Sequence, residues 1–226
     1  MPETTVDVED TEATTTTPHG LELDPSFETP AGEERVQRAA AALRGRGYAV
    51  HVVDTAAEAR TLVAEILPTD KSVFTSSSET LRISGIDADI NQSGKYNAVR
   101  PTLAALREAG RFDEMRVAGA APDYVVGSIH AVTESGQMLA ASGSGSQLSH
   151  YSYSAGKAIW VVGTQKIVSD LETALRRIET YAYPMEDERF RHTVGMPATL
   201  AKILIINGEL FPNRATVILV REPIGF

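Results

Sequence analysis

The chain has no cysteine among its 226 residues. That excludes disulfides, cysteine-ligated zinc, iron–sulfur ligation by this chain and a thiol nucleophile. Long apolar runs are missing too. Stretches such as Ile203–Ile206 and Val217–Val220 fall far short of the roughly 20 residues needed to span a bilayer. No basic segment followed by an apolar core opens the chain, so no secretory signal is expected. A cytoplasmic protein without a membrane span is the expectation. The histidines (His19, His51, His130, His150 and His192) are scattered, and no two share the i, i+4 spacing of a helical zinc site, so no protein-held metal is expected.

Basic charge is scarce. The net charge is −9, from 30 acidic and 21 basic residues. Eight of the acids lie in residues 1–28, which hold no Lys or Arg, leaving 22 acids against 21 bases, or −1, for the rest. The body is nearly neutral. It offers no basic field for nucleic acid and no basic amphipathic segment for a membrane.

Residues 1–28 are acidic and threonine-rich, with few large apolar groups. Such a stretch buries too little surface to offset its ordering entropy, and it reads as a disordered tail. A single α/β domain is expected over 29–226. Thr29-Pro30 suits a helix start, and Val36, Ala39, Ala40 and Leu43 form an apolar stripe that Gly45 or Gly47 ends. Tyr48–Val53 reads as a strand. Thr55 and Glu58 form a capping box for a second helix, which Pro68 stops, and Lys71–Thr75 is the next strand. Asp87–Tyr96 reads as a polar connection and Pro101–Arg107 as a helix. Tyr124–Ile129, Gln137–Ala141 and Lys157–Val162 read as strands, and 147–154 as a short helix. Ser169 and Glu172 suggest another capping box, opening a helix to about Tyr181, and Lys202–Asn207 and Thr216–Arg221 are two last strands. The alternation predicts a mostly parallel, layered sheet flanked by helices.

Ligands in such sheets bind beyond the carboxyl ends of strands. Four loops have suitable composition. Ser76, Ser77, Ser78 and Thr80 follow a strand and open a helix; they read equally as an anion cradle or as multiple helix caps. The loop lacks the glycine–lysine pattern of a P-loop and the G-x-G-x-x-G of a dinucleotide site. Ser128, His130, Thr133 and Glu134 follow another strand. Glu134 is the candidate catalytic residue, as base or nucleophile, against a solvated turn residue; His130 reads as a ligand contact or a structural histidine. Gly143, Ser144 and Gly145 let backbone approach a ligand, or simply make a flexible loop. Lys166, just after a buried strand, could hold a carboxylate or phosphate, or lie on the surface.

Together, Tyr124–Gln137, Ala141–Gln147, Ile159–Glu172 and the ending Val220–Phe226, with Ser76–Leu81 after a strand, resemble the LUD-domain family of lactate-utilisation proteins. The resemblance covers roughly residues 33–226. It implies a NagB/RpiA/CoA-transferase-like α/β fold. It also implies a part in oxidising L-lactate to pyruvate beside iron–sulfur protein subunits, of which this cysteine-free chain resembles the short, cluster-free component. Beyond the absence of any cysteine-held cofactor, no cofactor is implied. Three readings stay open on the residues: a non-redox component of such a lactate system; a free-standing enzyme acting on a CoA thioester or sugar phosphate through Glu134 and the Ser/Gly loops; and a small-ligand-binding regulator.

Overall fold

A computed structural model describes residues 15–226 of the chain. Its centre is a six-stranded sheet. The strands are β3 (Ala49–Val53), β4 (Ser72–Thr75), β5 (Asn97–Ala98), β6 (Tyr124–Gly127), β9 (Lys157–Gly163) and β12 (Ala215–Val220), in the spatial order β3-β12-β9-β6-β4-β5. Every neighbouring pair is parallel. The middle strands are continuous apolar runs because both faces are covered. Alternate residues point to opposite sides. Ala158, Trp160, Val162, Val217 and Leu219 pack on Val36, Ala39, Ala40 and Leu43 of α1 (Glu33–Gly45). Ile159, Val161, Ile218 and Val220 pack on Ala59 and Val63 of α2 (Ala56–Ile66), with Leu81 of α3 (Glu79–Ile83) and Ile86 and Ile90 of α4 (Ile86–Gln92).

A second, four-stranded sheet has the order β10-β7-β8-β11, from β7 (Ala131–Thr133), β8 (Met138–Ser142), β10 (Ile167–Val168) and β11 (Lys202–Ile206). β10 joins β7 in parallel; β7–β8 and β8–β11 are antiparallel. Val132, Met138, Ala140 and Ile167 face the core shared with the central sheet, while Ala131, Leu139 and Val168 face α8 (Leu171–Arg177). The expected layered, mostly parallel α/β architecture is therefore observed. α5 (Val99–Glu108), α6 (Phe112–Ala118) and α7 (Ser146–Ser149) complete the flanks.

Several local expectations need correction. Residues 1–14 lie outside the described residues, but 15–28, expected in the tail, are folded. β1 (Thr15–Thr16) and β2 (Glu22–Leu23) pair antiparallel, and a 3-10 turn at Pro25–Glu28 buries Phe27 against Tyr181 and Ile178. The stretch is acidic on average, yet Leu23 and Phe27 supply enough apolar surface to dock it. The first long helix starts at Glu33 rather than Thr29-Pro30. The polar connection expected at 87–96 is largely helical, since α4 runs from Ile86 to Gln92 and its two buried isoleucines sit one turn apart among Asp and Asn. Asp170, rather than Ser169, caps α8, its carboxylate accepting the Thr173 N–H at 2.8 Å. That helix does not end at Tyr181. It passes through a π turn at Ile178–Ala182 and continues as α9 (Tyr183–Val194).

Candidate functional site

β4, β6 and β9 are adjacent in the parallel sheet, so their carboxyl ends open on one side. There the chain places Ser76, Ser128 and Lys166, on the loops that follow the three strands. Lys166 is 2% exposed, and its Nζ donates to Thr80 Oγ1 at 3.0 Å and to Ser128 Oγ at 3.2 Å. No carboxylate among the described residues lies within ion-pair distance of it. Burial, and then the positive charge of Arg177, push the amine well below its ordinary pKa. The two hydroxyl oxygens are its hydrogen-bond partners among the described residues.

The surrounding shell fixes that amine. Thr80 Oγ1 in turn donates to the Ile224 carbonyl at 3.2 Å. Gln165 Nε2 donates to the carbonyls of Ile224 (3.1 Å) and Gly225 (2.8 Å), strapping the segment after β12 over the cluster. Gly225, at φ +66°, lets its backbone lie on Thr80, where a Cβ would collide with the Thr80 hydroxyl. Tyr151 donates its hydroxyl to the Ser128 carbonyl at 3.1 Å and stands edge-on to Trp160, and burial pushes its pKa up to about 12. Its oxygen occupies the place a side chain at Gly127 would need.

His130 belongs to the same cluster, but as a structural group. Its Nδ1 accepts the Ala141 N–H at 3.1 Å, so Nδ1 carries no proton. Loss of water, then the charges of Lys166 and Arg177, lower its pKa to about 3. Arg177, fully buried on α8, donates Nε to the Gln165 carbonyl at 3.3 Å and Nη1 to the His130 carbonyl, with its guanidinium against the Tyr181 and Phe27 rings at 5.1 and 5.9 Å. It ties the loop bearing Lys166 to the loop bearing His130.

Outside the Ser76–Thr80 loop lies a cleft of about 360 Å³, lined by Ser77, Ser78 and Glu79, by Asp87 and Asn91 of α4, by Arg100 and Ala104 of α5, and by Arg189 of α9. Thr75 organises it. Its carbonyl accepts Arg100 Nε at 2.7 Å and its hydroxyl accepts Asn91 Nδ2 at 2.9 Å. Ser78 also caps α3, so that loop is a helix cap and a cleft wall at once.

The structure thus brings Thr80, Ser128, His130 and Lys166 into one cluster, puts Ser76 beside it, and puts Ser77 and Ser78 on the adjoining cleft. No hydrogen bond among the described residues joins the remaining candidates to that cluster. Thr133 closes its own turn, accepting the Gln137 N–H at 2.9 Å. Glu134 accepts from Arg35 Nε at 2.6 Å and Arg38 Nε at 2.8 Å, pinning α1 to the β7–β8 turn; the Arg38 hydrogen bond, with those of Arg35 behind it, lowers its pKa. A carboxylate so stabilised is a weak base. Gly143 sits against Thr199 and Gly145 against Lys202, whose Nζ donates to the Gly143 carbonyl at 3.2 Å, and the Ser144 hydroxyl pairs with Ser146. The sequence reading missed Arg100, Asn91, Tyr151, Gln165 and Arg177. For Arg177 a signal existed, since it falls on the inner stripe with Ala174 and Tyr181. His19, Asp187 and Glu188 come within ligand spacing of a metal, yet the Asp187 oxygens already accept from Arg191 Nε at 2.7 Å and the Ala198 N–H at 2.8 Å.

A family model described as LUD domain matches residues 36–220. A search of curated proteins found no match. Among solved structures, the chain is similar to a DUF162 family protein from Deinococcus radiodurans, with 16% identity and a TM-score of 0.52, covering 84% of this chain and 99% of that one. At that identity the likeness speaks for the fold alone. No helix among the described residues is long and apolar enough to cross a membrane.

Proposed function

The chain belongs to the LUD-domain family, and from that premise we propose that it is a non-redox component of an L-lactate oxidation system in the cytoplasm, working beside iron–sulfur protein partners. The family match over residues 36–220 carries the reading. The chemistry of the site agrees with it. Oxidising lactate to pyruvate removes two electrons, and an amine with hydroxyls around it can bind, orient or take a proton but cannot accept those electrons. In this reading the oxidant belongs to a partner, and this chain holds the acid. Lys166, held by Thr80 and Ser128, is the buried group proposed to support that chemistry from behind the Ser76–Thr80 loop.

The test is L-lactate oxidation by host cells lacking the gene, complemented with wild type, Lys166→Met or Glu134→Ala, together with purification of the native complex. The reading expects deletion to abolish oxidation, wild type and Glu134→Ala to restore it where the variant folds, and Lys166→Met to fail. Unchanged oxidation after deletion, or a native protein that never travels with an iron–sulfur subunit, refutes it.

A further inference from the structure

Three arginines line the cleft beside the carboxyl end of β4, and two are already matched. Arg82 shares Glu79, with Nε 2.9 Å from both carboxylate oxygens, and Arg189 holds Glu186 through two contacts of 2.6 Å. Arg100 differs. Its Nε is committed to the Thr75 carbonyl and its guanidinium carbon lies 5.3 Å from the centre of the Phe74 ring. Both of its Nη atoms lack a hydrogen-bond partner among the described residues. The side chain is half-buried, and loss of water lowers its pKa, so the charge is held at some cost without a protein anion against it. Of the two acids in the wall, Glu79 is taken by Arg82, and Asp87 lies beyond ion-pair distance from Arg100 and is bound by Asn91 Nδ2 at 2.9 Å.

We propose that this cleft binds a short-chain monocarboxylate, whose two oxygens take the paired Nη groups of Arg100. An anchored guanidinium with both Nη groups available fits a carboxylate side by side. The volume, about 360 Å³, is at the small end of metabolite pockets. Pro101 and Ala104 supply an apolar wall for a short alkyl group, and Ser77 a hydroxyl for a polar substituent. One unmatched cation near Asp87 and Glu79 favours a single negative charge and disfavours a phosphate dianion. This deepens the lactate reading by naming where the acid is held, and it rests on that reading only in the choice of lactate as probe.

Calorimetric titration of the full chain with L-lactate, propionate and inorganic phosphate at matched ionic strength tests it. Lactate and propionate are expected to bind saturably, with phosphate weaker. Arg100→Gln should weaken lactate at least roughly tenfold, the worth of a charge-assisted hydrogen bond. Because Arg100 also secures Thr75, a second variant leaves its anchors alone. Ala104→Glu, at an exposed position, places a competing carboxylate in the cleft and should abolish binding. Asp87→Asn should tighten it. Phosphate binding as tightly as lactate, full binding in both Arg100→Gln and Ala104→Glu, or no saturable binding of either acid overturns the proposal. Binding by a protein whose deletion leaves lactate oxidation intact keeps the site and removes the lactate reading; a deletion phenotype without binding does the reverse.

Discussion

The Asp24 N–H donates to the Thr180 carbonyl at 2.8 Å, and that carbonyl is free because Pro184, four residues on, has no N–H to give it. The proline sits where the long C-terminal helix widens into a π turn, with the Tyr183 N–H reaching back to Ile178. A helix interruption thus creates the acceptor on which the segment 15–28 docks. Phe27 completes the dock, its ring 6.4 Å from that of Tyr181 and 5.3 Å from the Arg176 guanidinium.

Truncating that ring should therefore be costly. Phe27→Ala is expected to destabilise the protein by about 3 kcal/mol, the lower end for a buried phenylalanine, where a solvated tail residue would cost close to nothing. Urea denaturation measures it. Pro184→Ala restores a competing donor for Thr180. It should raise amide exchange in residues 22–28 while leaving the central strands protected.

The central strands were legible because each is a short apolar run closed by glycine, proline or a cap, and a strand buried on both faces has no other pattern to show. α4 was not, since its core contact is just Ile86 and Ile90 among polar neighbours, below what periodicity can detect. The site divides likewise. Thr80, Ser128 and Lys166 were readable as loop residues after strands. Arg100 was not, because a charged residue in a helix ordinarily marks a solvated face, and only its tertiary contact with Phe74 reveals otherwise; Arg177 was hidden the same way except for its place on the buried stripe with Ala174 and Tyr181.

Glu134 should prove a fastener. Glu134→Gln is expected to lower stability by about 1 kcal/mol at neutral pH, the scale of a half-exposed ion-pair network. Its folded pKa lies below the ordinary 4.5, so its contribution is present above the unfolded pKa and is lost as pH falls through the folded value. Wild type and variant should therefore converge in acid, which denaturation midpoints at neutral pH and near pH 3 would show. A cost unchanged by acid would point to lost packing instead.

His130 sets an acid limit of its own. The folded imidazole has a pKa of about 3 against 6.5 in an ordinary setting. Between those values the unfolded chain binds a proton that the folded chain does not, so stability falls as pH drops from about 6.5 towards 3, by at most roughly 1.4 kcal/mol per pH unit. Protonation would also break the Ala141 N–H to Nδ1 bond. Removing the ring with His130→Gln should flatten that limb of the pH profile. The NMR signal of the ring should stay neutral down to about pH 4; protonation near 6.5 would overturn the assignment.

Lys166 gives the complementary slope in base. Its amine is pushed well below 10.5 in the folded protein, whereas the unfolded chain keeps its proton up to about 10.4. In that window the unfolded state again holds the extra proton, so raising the pH favours folding. Lys166→Met fills similar volume without a charge to bury. It should match or exceed wild-type stability at pH 7, because no buried amine remains to be desolvated, and it should lose the alkaline rise. If the same variant also fails to support lactate oxidation, the amine is kept for chemistry at the expense of stability. If the variant is less stable than wild type at pH 7, the hydrogen bonds to Thr80 and Ser128 outweigh the burial of the amine, and Lys166 is a structural strut.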